Sequence, residues 1–320
     1  CEITTGKPIV HERHASLNYF REILLEICAA TMIAMRTPTY SPTVRRRRLG
    51  MQLRRMREEA GLTVAAAAER AGMSRAALGK IETAETRRVP LRQIDALVMA
   101  YGIPDDHAEA LRQLARDAGE RGWWWKYRDV FGHDSLPDFE AEASLIQTYE
   151  IATIPGLLQT PEYAEALFRG GPLTSPDHIE RQVEARMRRR EILHRHDSPP
   201  RLWAVLDEST IRRPIGGVEV MRGQLEYLLR VGQYPNIDIQ VLPFAVGAHP
   251  GLGVSFTVLE FAEPLDPTIV YTDSIGSGIF EEDPAEVGRY LGTFRHVQAA
   301  ATSTVDSAQV IRAILEESTA

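Results

Sequence analysis

Apolar residues recur at helical spacing between residues 45 and 118, and residues that cap or end helices separate the successive runs. In the first run, Leu49, Leu53 and Met56 lie on one helix face. Gly61 is placed to end this helix, and Thr63 is placed to cap the next one. The pattern predicts five helices, and the last three have these inward positions: Leu78 and Ile81; Ile94, Leu97 and Tyr101; Leu111, Leu114 and Ala118.

The second and third of these helices form a helix-turn-helix pattern. A short helix over residues 64–71, a turn at Gly72 and a short helix over residues 75–83 that Ser74 would cap follow one another directly. In this motif the helix after the turn lies in the major groove of DNA, and cationic groups beside it meet the phosphates. Four consecutive arginines precede the motif and are candidates for phosphate contacts: Arg45, Arg46, Arg47 and Arg48.

Beyond residue 119, helical runs alternate with short β-rich runs. We expect strands at residues 202–206, 237–242, 255–261 and 268–271. We expect one helix to begin at Thr160 and Pro161. The other expected helices span residues 138–152, 176–196, 218–231, 284–301 and 304–317. Strands and helices around one sheet make an α+β domain. The aromatic cluster at residues 123–131 is expected to anchor the two regions to each other, with stacking on bases as the alternative.

Net charge separates the two regions. The whole chain carries −7, but residues 44–104 hold 13 Lys and Arg against 6 Asp and Glu, whereas residues 105–320 hold 20 against 34. A small basic DNA-binding domain ahead of a large acidic regulatory domain explains why the first region is positive and the whole chain is negative. The composition, with 44% hydrophobic and 25% charged residues, excludes a chain that is disordered throughout. We therefore predict a multi-domain fold: a leader at residues 1–44, an all-α five-helix domain at 45–118 and an α+β domain at 119–320.

The run LRRMREEAGLTVAAAAERAGMSRAALGKIET resembles the Xre type of helix-turn-helix, the lambda-repressor-like domain. The resemblance implies that Arg57 on the first helix pairs with Glu82 at the end of the recognition helix. It also implies that Ser74, Arg75, Ala76 and Lys80 contact DNA, and we expect Thr63 to contact DNA as well. Arg75 has the reach for guanine O6 and N7, and Lys80 has the reach for a base or a phosphate.

The run departs from the family pattern at several positions. Val64 stands where a phosphate-binding glutamine is common, and Gly79 lies inside the recognition helix, where glycine costs about 1 kcal/mol against alanine. Thr83 and Ala84 replace the usual Asn-Gly after that helix. These departures keep open the alternative of a protein-interaction module with a vestigial helix-turn-helix.

Four segments of the acidic region are similar to a domain that follows Xre helix-turn-helix domains in actinobacterial regulators: IPGLLQTPEYA, LDESTIRRPIGG, MRGQLEYLL and PNIDIQVLPF. These regulators are often described as antitoxin-like and of the streptomycete type. The resemblance implies a small acidic partner protein encoded by a neighbouring gene. We expect a homodimer that places two recognition helices about 34 Å apart on a double-stranded DNA operator.

No sequence pattern indicates a metal site, a cofactor or an enzyme. The nine histidines lack metal-ligand spacing, two cysteines are too few for a four-cysteine zinc site, and no glycine-rich stretch has the lysine of a phosphate-binding loop. The best polar cluster follows the strand at residues 202–206: Asp207, Glu208, Arg212 and Arg213. A charged turn that pairs internally is the favoured interpretation, a small-molecule or peptide pocket is second, and hydrolysis is third.

The helix opened by Ser175 and Pro176 is rich in arginine, and interspersed glutamates predict a solvated, charge-balanced face. A nucleic-acid or partner surface is the alternative there. Because the chain begins with Cys1 and Met35 is a possible start, we expect a poorly ordered or upstream-translated leader. The apolar run in it is shorter than the roughly 20 residues of a membrane span. We expect a cytoplasmic, sequence-specific transcriptional regulator, with a small-molecule-sensing regulator as a further alternative.

Overall fold

The computed structural model describes residues 42–120, 122–131, 136–171, 175–263, 266–274 and 277–317. The predicted leader lies outside these residues apart from its last three positions, which belong to the first helix.

The basic region is helical, and its described residues form α1 (Pro42–Glu59), α2 (Val64–Arg70), α3 (Arg75–Glu82), α4 (Leu91–Tyr101) and α5 (Asp105–Ala118). Hydroxyl side chains cap the two short helices. Thr63 Oγ1 accepts a hydrogen bond from the Ala66 amide at 3.2 Å, and Ser74 Oγ accepts one from the Ala77 amide at 3.1 Å. The helices share one apolar core, and its fully buried side chains include Leu53, Leu78, Ile94 and Leu97.

Gly50 allows α1 and α3 to pack closely. A Cβ atom at position 50 would lie 2.7 Å from the carbonyl oxygens of both Ile81 and Glu82. No side chain fits at that distance, so the last turn of α3 rests directly on the backbone of α1.

The aromatic segment Trp123–Tyr127 forms a 3-10 helix between the two domains. The guanidinium of Arg87, from the helical domain, lies 4.3 Å from the centroid of the Trp125 ring. The Tyr127 hydroxyl donates a hydrogen bond to Glu184 of the second domain at 2.6 Å. The cluster therefore joins the two domains, as the anchoring interpretation requires.

The second domain is built on one sheet, whose described strands are β1 (Ala143–Glu150), β2 (Arg201–Asp207), β3 (Ile237–Leu242), β4 (Phe256–Phe261), β5 (Ile269–Ser274) and β6 (Ser277–Glu281). Their order is β3-β2-β1-β4-β5-β6. Strands β1, β2 and β3 are parallel, whereas β4, β5 and β6 add antiparallel pairs. Strand β1 is therefore the point at which the sheet changes from parallel to antiparallel pairing.

Helices cover both faces of this sheet. The described helices are α6 (Arg128–Phe131), α7 (Leu136–Glu142), α8 (Pro161–Arg169), α9 (Pro176–Arg190), α10 (Glu208–Arg212), α11 (Val218–Val231), α12 (Pro284–Ala300) and α13 (Thr304–Glu317). Met221 and Leu225 of α11 belong to the core on one face, together with Ala204 of β2. Phe294 of α12 belongs to the core on the other face, together with Val205. The chain is thus a helical region followed by a mixed α/β sheet domain.

One predicted helix is wrong. The pattern predicts a helix over residues 138–152, but α7 ends at Glu142 and residues 143–150 form strand β1. This strand is paired on both sides, by β2 and by β4, and Ile146 and Tyr149 are buried on opposite faces of the sheet. A strand buried on both faces has no polar alternation, and its pairing partners are distant in sequence, so local periodicity does not distinguish it from a helix.

Candidate functional site

The recognition helix α3 turns one face into the core and the other to solvent. Leu78 and Ile81 are buried in the core of the helical domain. The predicted DNA-contacting residues of this helix and its cap are all exposed: Ser74, Arg75, Ala76 and Lys80. Thr63, at the start of α2, is exposed as well. An open helix face with one cation in its first turn, Arg75, and a second in its last turn, Lys80, suits docking into the major groove.

A buried ion pair holds α3 against α1. Arg57 donates through Nε and Nη2 to the two carboxylate oxygens of Glu82 at 2.7 and 3.0 Å, and through Nη1 to the carbonyl oxygen of Leu62 at 2.9 Å. The two side chains are 8% and 6% exposed. The hydrogen bond to Glu82 raises the pKa of Arg57 above its usual value, so its positive charge is retained at neutral pH. The pair implied by the family resemblance therefore fixes the orientation of the recognition helix.

The arginine run lies on the first turns of α1 and contacts the second domain. Arg48 donates through Nη2 to Oδ2 of Asp266 at 2.5 Å. Arg45 donates through Nε to Oε1 of Glu142 at 3.1 Å. Both arginine side chains are largely buried, with 14% and 11% of their surface exposed. The run is therefore part of the contact between the two domains.

The sequence predicts that this run contacts DNA phosphates, and in the structure without DNA it contacts the acidic domain. Arg47 pairs with Glu282 of the second domain, and Arg46 is half-buried on the same helix turn. The reason is that α1 packs against α7 of the acidic domain, so the strongest positive run of one domain meets carboxylates of the other. Residue charge alone could not reveal this, since the carboxylates come from three distant segments.

The polar cluster that follows β2 caps a helix and pairs internally. Asp207 caps α10. Glu208 accepts hydrogen bonds from Nε of Arg212 at 2.6 Å and from the amide of Phe244 at 2.9 Å. Arg212 also pairs with a glutamate of α13 at 3.0 Å, and Arg213 is exposed. The arrangement matches the charged-turn interpretation.

Several arginines of α9 point into the domain and not into solvent, which corrects the prediction of a solvated face. Arg189 pairs with Glu140 at 2.6 Å, and these side chains are 13% and 2% exposed. Arg190 donates to the carbonyl oxygen of Gln159 at 2.9 Å, and Arg186 donates to the side-chain oxygen of Gln159 at 2.8 Å. Spacings of three and four residues put these arginines on one helix face. Their partners lie on other elements, which the charge pattern of α9 alone cannot show.

Arg186, Arg189 and Glu140 line a cavity of about 170 Å³ beside the carboxyl end of β1. Glu150, the last residue of β1, also lines it. Burial raises the pKa of Glu150 to about 7, although hydrogen bonds with Ser255 and Thr148 oppose this shift. The cavity thus combines an acid that titrates near neutrality with two guanidinium groups.

Comparison with known protein families identifies both regions. A family described as a domain of unknown function, DUF5753, matches residues 134–313, which is more than half of the chain. The chain belongs to this family. A helix-turn-helix domain matches residues 48–111, which confirms the predicted motif and indicates a DNA-binding regulator. No curated protein and no solved structure matches the chain.

A buried glutamine links two segments of the DUF5753 domain, MRGQLEYLL and IPGLLQTPEYA. Gln224, in the segment MRGQLEYLL, donates through Nε2 to the carbonyl oxygen of Leu158 at 2.7 Å and accepts through Oε1 from the amide of Thr160 at 2.7 Å. Both partners belong to the segment IPGLLQTPEYA, and Gln224 is fully buried. The side chain therefore fixes the loop that carries Gln159 toward the cavity.

Sequence reasoning missed Gln224, Glu150 and Arg186 as candidate residues. A signal exists for Gln224, because it is a polar residue in the apolar stripe formed by Met221, Leu225 and Leu228. No comparable signal marks the other two, since Glu150 looks like an ordinary charged residue at the end of a strand and Arg186 is one of several arginines on α9. Within the described ranges, no group of three or more His, Cys, Asp and Glu side chains could hold a metal ion. In the same part of the chain, every helix is too short or too polar to cross a membrane.

Proposed function

We propose that this chain is a sequence-specific transcriptional regulator whose recognition helix α3 contacts DNA bases through Arg75 and whose DUF5753 domain receives the regulatory signal. The observation that supports this most directly is the exposed face of α3, held in place by the buried Arg57–Glu82 pair. An arginine in this position has the bidentate reach that distinguishes guanine from other bases. Lys80 would contact a base or a phosphate. The regulatory domain acts in this proposal by binding and not by catalysis.

The proposal extends to a partner and to a dimer. The resemblance to antitoxin-like regulators supports a small acidic protein, encoded next to this chain, as the partner of the DUF5753 domain. A homodimer would place two recognition helices one DNA turn apart, about 34 Å. Co-expression of the neighbouring gene product with the full chain, followed by light scattering on the purified complex, tests both statements. A monomer that copurifies with nothing contradicts them.

Selection of binding sites from random duplexes by the full chain tests base recognition. We expect one preferred site, with binding that weakens steeply as salt rises. Arg75→Ala should cost about 1–3 kcal/mol at that site and relax preference at one base pair. Arg169→Ala serves as the control, because Arg169 lies in the second domain in an exposed i,i+4 pair with Glu165. It should change neither the affinity for the preferred site nor the base preference. Equal affinity of the chain for all duplexes contradicts the proposal.

Salt dependence separates phosphate contacts from contacts between the domains. Lys80→Gln should reduce the slope of log affinity against log salt by about one if Lys80 contacts a phosphate. Arg48→Gln should leave the slope unchanged, because Arg48 is already neutralised by Asp266. A slope that falls equally for both variants would show that the arginine run leaves the second domain when DNA binds.

A protein-interaction module with a vestigial helix-turn-helix is the second candidate function. It is favoured by the engagement of the arginine run with the carboxylates of the second domain. A stable complex with the neighbouring gene product, together with undetectable affinity for any duplex at low salt, would support it over base recognition.

A further inference from the structure

The cavity beside β1 lies where the topology of the sheet favours a ligand site. Thr148 and Glu150 of β1 line it, as do the turn at residues 154–156 and Arg186 of α9. Strand β1 pairs in parallel with β2 and antiparallel with β4, and the cavity extends along one face of β1 from Ile146 to Glu150 at its carboxyl end. Ligands of open sheets bind outside the carboxyl ends of the strands, where the connections diverge and leave a crevice.

Arg186 brings a positive charge to this cavity without a carboxylate in direct contact, although Asp273, Glu140 and Glu150 lie near enough to favour its charged form. Its Nη1 donates to the neutral amide oxygen of Gln159 at 2.8 Å, and its guanidinium lies over the Phe168 ring at 4.7 Å. Among the residues that the structure describes, no carboxylate oxygen lies within 4.0 Å of its nitrogens. The neighbouring Arg189 differs, because Glu140 neutralises it. The positive charge of Arg186 is thus available to a ligand.

Glu150 brings a carboxyl group to the same cavity, and this group is negatively charged above its pKa of about 7. Its carboxylate accepts a hydrogen bond from Thr148 Oγ1 at 3.4 Å, and no Lys, Arg or His nitrogen lies within 4.0 Å of it in the described part of the chain. Asp273 of β5, which is exposed, lines the cavity as well. Arg186 and Glu150 therefore share one cavity without forming an ion pair with each other.

Two opposite charges held apart in a cavity cost stability unless something satisfies both. Desolvating a carboxylate or a guanidinium is expensive, and the cost is recovered only by a charged or strongly hydrogen-bonding partner. Direct contact between the two side chains would recover it, but the fold keeps them separate. A molecule with one anionic and one cationic group fits this arrangement.

We propose that the cavity binds a small zwitterion whose carboxylate contacts Arg186 and whose ammonium group contacts Glu150. A cavity of about 150 Å³ holds a molecule the size of benzene, so a cavity of about 170 Å³ takes a ligand of roughly six to ten non-hydrogen atoms. An α-amino acid with a short or medium side chain has this size and both charges. The site lies in the DUF5753 domain, and the inference does not depend on DNA binding.

Isothermal titration calorimetry on the full chain without DNA tests the ligand class. The probes are the L-α-amino acids from alanine to glutamine in size, each compared with the amine that lacks its carboxylate and the carboxylic acid that lacks its ammonium group. For valine these are isobutylamine and 3-methylbutanoate. We expect at least one amino acid to bind, and its amine and acid to bind about tenfold more weakly or not at all. Equal binding of the acid, equal binding of the amine, or binding of no amino acid overturns the proposal.

Variants of the two charged residues test the assignment of each group. Arg186→Gln and Glu150→Gln should each weaken binding of that amino acid by about tenfold or more. Arg188→Gln is the matched control, because Arg188 lies on the same helix, does not line the cavity and pairs with Glu191. Circular dichroism establishes that each variant is folded. Unchanged affinity in both glutamine variants overturns the assignment. If a variant fails to fold, the comparison of probes on the unmodified chain still tests the ligand class.

Discussion

Arg48 of the helical domain and Asp266 of the DUF5753 domain form a two-point ion pair across the contact between the domains. Nε and Nη2 of Arg48 lie 3.1 and 2.5 Å from Oδ2 of Asp266, and the Asp266 side chain is only 3% exposed. Glu142 lies 3.7 Å from the same guanidinium. The most basic part of one domain is therefore neutralised by the acidic domain behind it.

Removing the carboxylate at position 266 should destabilise the contact between the domains. Asp266→Asn leaves the buried guanidinium of Arg48 with the more distant Glu142 and Glu263, and we expect a loss of about 2 kcal/mol of unfolding free energy. Urea unfolding followed by tryptophan fluorescence measures this, since Trp123 and Trp125 lie between the domains.

Asp197→Asn provides the control for this variant. Asp197 is exposed in the loop before β2, so its removal should change the unfolding free energy by less than about 0.5 kcal/mol. An effect of Asp266→Asn as small as that of the control would show that the pair contributes little to the contact.

Replacing Gly79 should stabilise the helical domain. Gly79 lies inside α3, and a Cβ atom at this position would meet nothing within 4 Å. Gly79→Ala therefore gains helix propensity without a steric cost, which is worth about 1 kcal/mol. Thermal unfolding of the full chain measures the change in stability. Gly50→Ala is the contrasting variant. It should be destabilising, because its Cβ would lie 2.7 Å from two carbonyl oxygens.

The same substitution also tests how closely α3 approaches DNA. If Gly79→Ala raises stability and leaves DNA affinity unchanged, the glycine is not needed for contact. Higher stability with weaker binding would mean that the DNA backbone or a base lies against this position in the complex.

Gln224 should be the most sensitive polar residue on α11. Gln224→Ala leaves the carbonyl oxygen of Leu158 and the amide of Thr160 buried without their partner, at a cost of about 2–4 kcal/mol. Gln233→Ala, an exposed glutamine just beyond the same helix, should cost less than about 0.5 kcal/mol. The difference in unfolding free energy between the two variants measures the contribution of the bridge. Equal values would contradict its structural role.

Glu150 should make the chain less stable as pH rises through neutrality. Its pKa in the folded chain is about 7, above the ordinary value of 4.5, so the folded state holds the proton more tightly than the unfolded state. The resulting stabilisation is complete below the unfolded pKa and is lost as pH rises through about 7. We expect Glu150→Gln to reduce the loss of unfolding free energy between about pH 5 and pH 8 by roughly 2 kcal/mol.

Urea unfolding at both pH values measures this effect, with Glu162→Gln as the exposed control on α8. The charged neighbours of Glu150 include Asp273, which raises its pKa, and Arg189, which lowers it. Parallel stability profiles for Glu150→Gln and the unmodified chain would mean that Glu150 titrates as an exposed carboxylate does.

Elements whose stabilising contacts are local could be predicted from the sequence. Helix α11 and strand β3 have the predicted bounds, because each shows one clear period of apolar residues between turn signals. The helix-turn-helix could be predicted for the same reason, since Thr63 and Ser74 cap the helices that follow them. The pairing of Arg57 with Glu82 required the family resemblance in addition, because the two residues lie on different helices.

The sequence by itself therefore determined the helix-turn-helix, the separation of basic and acidic regions and most elements of the sheet domain. Only the tertiary structure decided that residues 143–150 form a central strand, that Arg48 faces Asp266, and that Arg186 and Glu150 share a cavity. The physical reason is the same in each case. Strand pairing and charge neutralisation depend on partners from distant parts of the chain, and the local period of a segment contains no information about which distant group it will meet.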